Sequence, residues 1–106
     1  LKNLSKSDQV IEFYVDKNVL ENSKYFEKDK KIILNQSFFN NPEEIILRSI
    51  MQVIKRISWK KNYPRGKKVN SLIDSIKFSN KNVKLTLSGC IIEKIQDSVI
   101  IYPEKR

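Results

Sequence analysis

A chain of 106 residues with 40% apolar content is one domain's worth, enough for a single modest core. It contains no histidine and one cysteine, Cys90, which excludes an internal disulfide and removes the usual material of a zinc site. The net charge of +9 is unevenly placed: residues 1–47 hold seven Lys or Arg against eight Asp or Glu, and residues 48–106 hold fourteen against four. A balanced front and a strongly basic rear point to a polyanionic partner met by the rear half.

No stretch approaches the roughly eighteen uninterrupted apolar residues of a membrane span, and no signal peptide opens the chain. No membrane association is therefore expected, and a free cysteine fits a cytoplasmic location. Leu1 rather than Met at the first position suggests a fragment of a longer protein.

The first element is expected to be a helix over 7–23. Ser7 is its cap, Asp8 and Glu12 lie near its positive end, and Val10, Phe13, Tyr14 and Ile11, Val15, Val19 make two adjacent apolar rows. "KKIILN" (30–35) is short and β-branched, so it reads as a strand. The clearest helix start follows, with Asn41 as cap, Pro42 at the first helical position and Glu44 at the third. That helix is expected over 42–58, turning Ile46, Ile50, Val53, Ile54 and Ile57 inward with Leu47 and Met51 beside them. Arg48, Gln52, Lys55 and Trp59 fall on its other face.

Pro64 disfavours helical geometry at Tyr63, so "NYPRG" breaks the chain before a second helix over 66–77. Val69, Leu72, Ile73 and Ile76 are its inner row. After the polar "SNKN" the apolar period changes from 3.6 to 2. "VKLTL", "CIIEKI" and "VIIYP" then form a C-terminal β-hairpin of two or three strands, with a bend at Gly89. The expected fold is α+β: a small, mainly helical domain of about three helices, a short strand and the hairpin. One domain is expected over 1–106, divided into a linker helix and strand (1–41), a helix pair (42–78) and the hairpin (83–102).

These residues argue against catalysis. Without histidine there is no neutral-pH base, and Cys90, beside Ile91 and Ile92, reads as a buried structural thiol. Glu43 and Glu44 are partners of a helix dipole. With two glycines, Gly66 and Gly89, the chain has no Gly-rich phosphate loop. No catalytic, metal-binding or cofactor-binding residue is expected.

The basic stretch "KRISWKKNYPRGKK" (55–68) is the stronger signal, with seven cations in fourteen positions and no acid. Lys55, Arg56, Lys60 and Lys61 leave one helix, and Arg65, Lys67 and Lys68 enter the next. Trp59 and Tyr63 among them either stack on bases or belong to the core. Lys67 and Lys68 oppose the dipole of their own helix, which a phosphate would relieve. Seven phosphate contacts would give a salt slope of about −5 to −6, and three to five contacts are expected.

"NNPEEIILRSIMQVI", "YPRGKKVNSLIDSI" and "KLTLSGCIIEKIQDSVIIYPEKR" together resemble the region after the catalytic domain of bacterial tRNA(Ile)-lysidine synthases. In that family an Arg-bearing helix, here with Arg48, precedes a Pro-Arg turn, here Tyr63-Pro64-Arg65. A hairpin with a Thr-Leu-Gly-Gly-Cys-like motif follows, here Thr86-Leu87-Ser88-Gly89-Cys90, and the segment ends near Glu104 and Arg106. Ser88 stands where Gly is usual and Pro103 where Arg is usual. The resemblance extends over 42–106 and is loose before that.

The resemblance implies an accessory substrate-binding domain of an ATP-dependent carbon–nitrogen ligase. That enzyme adenylates the wobble cytidine of the CAU anticodon of tRNA(Ile), and lysine then displaces AMP. ATP and Mg would belong to a catalytic domain of the same polypeptide, whose Ser-Gly-Gly-x-Asp-Ser loop is absent from this chain. The expected partners are tRNA(Ile) and that catalytic domain, and a homodimer is admitted. Arg48, Lys55, Arg56, Lys60, Lys61, Arg65, Lys67 and Lys68 are the expected phosphate contacts, with Trp59 and Tyr63 as stackers. Two alternatives are a stand-alone helix-turn-helix-like nucleic-acid module and a dimerisation or docking domain with an incidental basic face.

Overall fold

The computed structural model describes residues 5–58, 66–79 and 81–104. Its elements run α1 (Lys6–Asn22), β1 (Ser23–Phe26), β2 (Lys31–Leu34), a 3-10 turn (Gln36–Phe39), α2 (Glu43–Ile57), α3 (Gly66–Phe78), β3 (Val83–Leu87), β4 (Cys90–Ile95) and β5 (Ser98–Pro103). The fold is α+β, with three helices beside one antiparallel sheet of strand order β1-β2-β5-β4-β3. Among the described residues, no helix is long and apolar enough to cross a membrane.

Two sequence expectations about helix starts are corrected. Ser5, not Ser7, caps α1: its hydroxyl accepts from the Asp8 amide at 3.2 Å and donates to the Asp8 carboxylate at 2.9 Å. At α2 the cap position falls on Pro42, whose extended ψ of 148° keeps it outside the helix, and no side chain caps the start. Asn41 is occupied elsewhere. Its amide donates to Asn18 Oδ1 and to the carbonyls of Ser37 and Phe38.

Asn18 is the reason. It is buried in α1 and donates to the Phe38 carbonyl and to Ser49 Oγ on α2, while its oxygen accepts from Asn22 and Asn41. A buried amide is tolerated when its donors and acceptor are satisfied, and this one ties α1, the 3-10 turn and α2 together.

The core lies between the helices and one face of the sheet. Ile46, Ile50, Val53 and Ile54 of α2 and Val69, Leu72, Ile73 and Ile76 of α3 meet Ile32, Leu34, Cys90, Ile92, Val99 and Ile101. Both inner rows fall where the apolar spacing put them. Ile57, Leu47 and Met51 pack at the margin of this cluster. Strand register explains the buried set: Leu85, Ile92, Ile101 and Ile32 are successive cross-strand partners on the inner face.

The sequence reading did not anticipate β1, and the C-terminal hairpin is a three-strand meander that continues through β2 to β1. "SKYF" is four residues long and follows α1 with no intervening turn, so neither period nor punctuation marks it. At the β3–β4 turn, Ser88 and Gly89 both take positive φ, 49° and 80°, the pattern of a type I′ hairpin turn. Lys94 points to the helical side, where its ammonium donates to the carbonyls of Ile76 and Ser79 and closes the end of α3.

Candidate nucleic-acid interface

The structure divides the expected phosphate contacts among three surroundings. Arg48 lies on α2 facing α1, 2.7 Å from Glu44 and 3.5 Å from Glu12. The Glu44 hydrogen bond, helped by nearby acids, raises its pKa further. Its charge is thus met by two carboxylates on the side of the balanced front half.

Lys55 and Arg56 occupy the last turn of α2, where cations suit the negative end of the dipole. Both are exposed and line a cleft with Val19, Ser23 and Ile32, on the β1 side of α2. The Arg56 guanidinium lies 4.3 Å from the centre of the Tyr25 ring, a cation–π contact that fixes its direction.

Lys67 and Lys68 open α3 and are exposed. They line a different cleft, of about 600 Å³, between α3 and the edge strand β3. Ser71 and Ser75 of α3 line one wall, Thr86 and Ser88 complete the β3 edge, and Leu72, Leu85 and Leu87 form its apolar part. Lys67 and Lys68 form no ion pair with a carboxylate among the described residues. A Cβ added at Gly66 would meet no atom within 4 Å among the described residues.

The end of α2 and the cleft at the start of α3 meet at one place, the β3–β4 turn. Ser58 donates its hydroxyl to the Ser88 carbonyl, and Ser88 also lines the α3–β3 cleft. Lys60, Lys61 and Arg65, the candidate stackers Trp59 and Tyr63, the Pro64 break and Arg106 lie outside the described residues.

The hydroxyl wall was missed by the sequence reading. Its signal was present: Lys67, Ser71 and Ser75 recur every four residues and so share one helical face. Thr86 and Ser88 required the tertiary fold to reach them.

Cys90 is buried beneath this corner. Burial pushes its thiol up to about 11, offset in part by its hydrogen-bond contact with Ser58. A thiol so placed stays protonated at neutral pH. Among the described residues no three His, Cys, Asp or Glu gather as metal ligands. In comparisons with known proteins, no family model, no curated protein and no solved structure matches this chain.

Proposed function

We infer that this chain is an accessory tRNA-binding domain, and that it serves a tRNA(Ile)-lysidine synthase whose ATP- and Mg-dependent chemistry resides in a catalytic domain elsewhere on the same polypeptide. In that reading it works in the cytoplasm and contributes affinity and placement rather than bond-making. The observation that carries it is the α3–β3 cleft, where Lys67 and Lys68 stand exposed on the same helix face as Ser71 and Ser75. Cations there can neutralise phosphates, and hydroxyls can hydrogen-bond phosphate or ribose oxygens. The motif resemblance over 42–106 is what supports reading the partner as tRNA(Ile) and the reaction as lysidine formation.

Arg48 makes the weakest phosphate contact in this reading, because Glu12 and Glu44 already hold it. Arg56, Lys67 and Lys68 are the strongest among the described residues. Reversing these three to Glu is expected to weaken tRNA binding and to flatten its salt slope by about 2 to 3, at roughly 0.7–0.9 per lost contact. Circular dichroism should stay that of the parent chain, since all three are exposed. Unchanged tRNA affinity and slope in a folded triple variant would refute the assignment.

One observation favours a second reading, a docking domain. Val10, Phe13, Tyr14 and Leu20 on α1 are 49–83% exposed, an unusual apolar row for a free helix face. Sedimentation of the chain alone and with tRNA separates the two readings, since docking predicts self-association or capture that tRNA does not alter.

A further inference from the structure

The sheet has a second face, opposite the helices, and its composition follows from the register. Because inward positions are taken by Ile32, Ile92 and Ile101, their strand neighbours point the other way. One outward row runs across all five strands as Lys24, Ile33, Ile100, Glu93 and Lys84. A second outward row contains Phe26 beside Lys31 and, further along the sheet, Tyr102, Ile91 and Thr86. Ile33, Ile91 and Ile100 belong neither to the core cluster nor to the side chains packed against it. They are half-buried on this outward face.

The chemistry of this face is specific. Three cations, Lys24, Lys31 and Lys84, surround it. An acid, Glu93, sits among them: it accepts from the Tyr102 hydroxyl and stands opposite Lys84. Lys31 also lies 3.9 Å from Asp29, a long and half-exposed pair. The Phe26 ring has the Lys24 ammonium at 5.4 Å and that of Lys31 at 5.5 Å. Two aromatic rings thus stand on strands β1 and β5, about 10 Å apart across β2, with ammonium groups between and beyond them.

We propose that this open sheet face binds unpaired RNA nucleotides, with Phe26 and Tyr102 as stacking platforms and Lys24, Lys31 and Lys84 as phosphate contacts. Aromatic rings on an open antiparallel sheet present π-faces that any base can cover, and lysines between them match the phosphate spacing only loosely, which suits sequence-tolerant binding. A base over Phe26 displaces an exposed cation–π contact, the weaker of the two interactions, and frees that ammonium for phosphate. A second copy of this chain is a poor occupant: face-to-face pairing would bring its lysines against their equals. The proposal rests on reading the chain as an RNA-binding domain and adds a surface distinct from the α3–β3 cleft. Thr86, on edge strand β3, borders both.

The test uses the 106-residue chain, a decauridylate and a folded tRNA. Amide shift mapping of the parent chain with decauridylate should move Lys24, Phe26, Ile33, Ile91, Ile100 and Tyr102. Replacing both rings by leucine, Phe26→Leu with Tyr102→Leu, keeps apolar volume and should weaken decauridylate binding at least tenfold at an unchanged melting temperature. Reversing Lys67 and Lys68 to Glu should weaken tRNA binding and leave decauridylate shifts on the sheet. Undetectable decauridylate binding, shifts confined to other surfaces, or undiminished affinity in the leucine pair overturns the proposal. Tested alongside, loss of tRNA binding in the lysine reversal then shows that the domain reading stands without it. Should the leucine pair fail to fold, the parent's shift map decides alone.

Discussion

Helices α1 and α2 are of similar length, 17 and 15 residues, and both carry apolar residues at helical spacing, yet they sit in the fold by different means. α2 buries Ile45, Ile46, Ile50, Val53 and Ile54 along one stripe. α1 buries Val15 and Asn18, half-buries Ile11 and Val19, and leaves Val10, Phe13, Tyr14 and Leu20 in solvent. α2 is therefore held by hydrophobic burial, and α1 by Val15, the Glu12–Arg48 pair and the three hydrogen bonds that Asn18 makes outside its own helix. The difference teaches that periodicity identifies a helix but does not say which of two apolar rows faces inward.

The sharpest test of that contrast is a cavity in α2. Ile50→Ala removes a fully buried side chain from the middle of the core and is expected to cost about 3–4 kcal/mol in a denaturant melt. Asn18→Ala should cost less, about 2 kcal/mol, because it leaves neighbouring polar groups short of partners rather than opening the main core. If Asn18→Ala proves as costly as Ile50→Ala, the amide does more than join three elements. If it is neutral, α1 is held by its apolar row after all.

The same contrast marks what was legible in the sequence. Both inner rows of α2 and α3 could be read, because each carries one apolar stripe and its opposite face is polar. The core strands β4 and β5 were legible from β-branched runs. β1 was not, since "SKYF" has no alternation of its own and exists as a strand because β2 offers it an edge. Capping failed at Asn41 because the helix starts one residue later, with Pro42 at the cap position, while the Asn41 NH2 donates to Asn18, a residue 23 positions away that no local rule includes. Of the candidate site, the exposed lysines of α3 were legible from charge alone. The split between Lys55 with Arg56 and Lys67 with Lys68 was not, because it depends on which cleft flanks each helix end.

Ser88 sharpens the comparison at the far end of α2, where its carbonyl receives the Ser58 hydroxyl. A non-glycine residue at φ 49° is disfavoured by its own Cβ, so Ser88→Gly should stabilise the chain by up to about 1 kcal/mol. For a domain of this size that raises the melting temperature by about 4–8 °C. A lower melting temperature would mean that the turn's conformation is held by the serine side chain.

The smallest stability effect is expected where the apolar surface looks largest. Phe13→Ser with Leu20→Ser changes side chains that are 61% and 83% exposed, so unfolding free energy should move by no more than about 0.5 kcal/mol. Phe13 meets Tyr14 edge-on at 5.3 Å, and losing that exposed ring pair is the main folded-state cost. Sedimentation supplies the second readout. If the outer row docks on another protein surface, the serine pair should lose association while keeping its melting temperature. If the parent chain sediments as a monomer at all accessible concentrations, self-pairing is removed and the row must be read as exposed surface or as a seat for a different partner. A stability loss comparable to Asn18→Ala would instead reverse the comparison, because it would make the outer row part of what holds α1 in place.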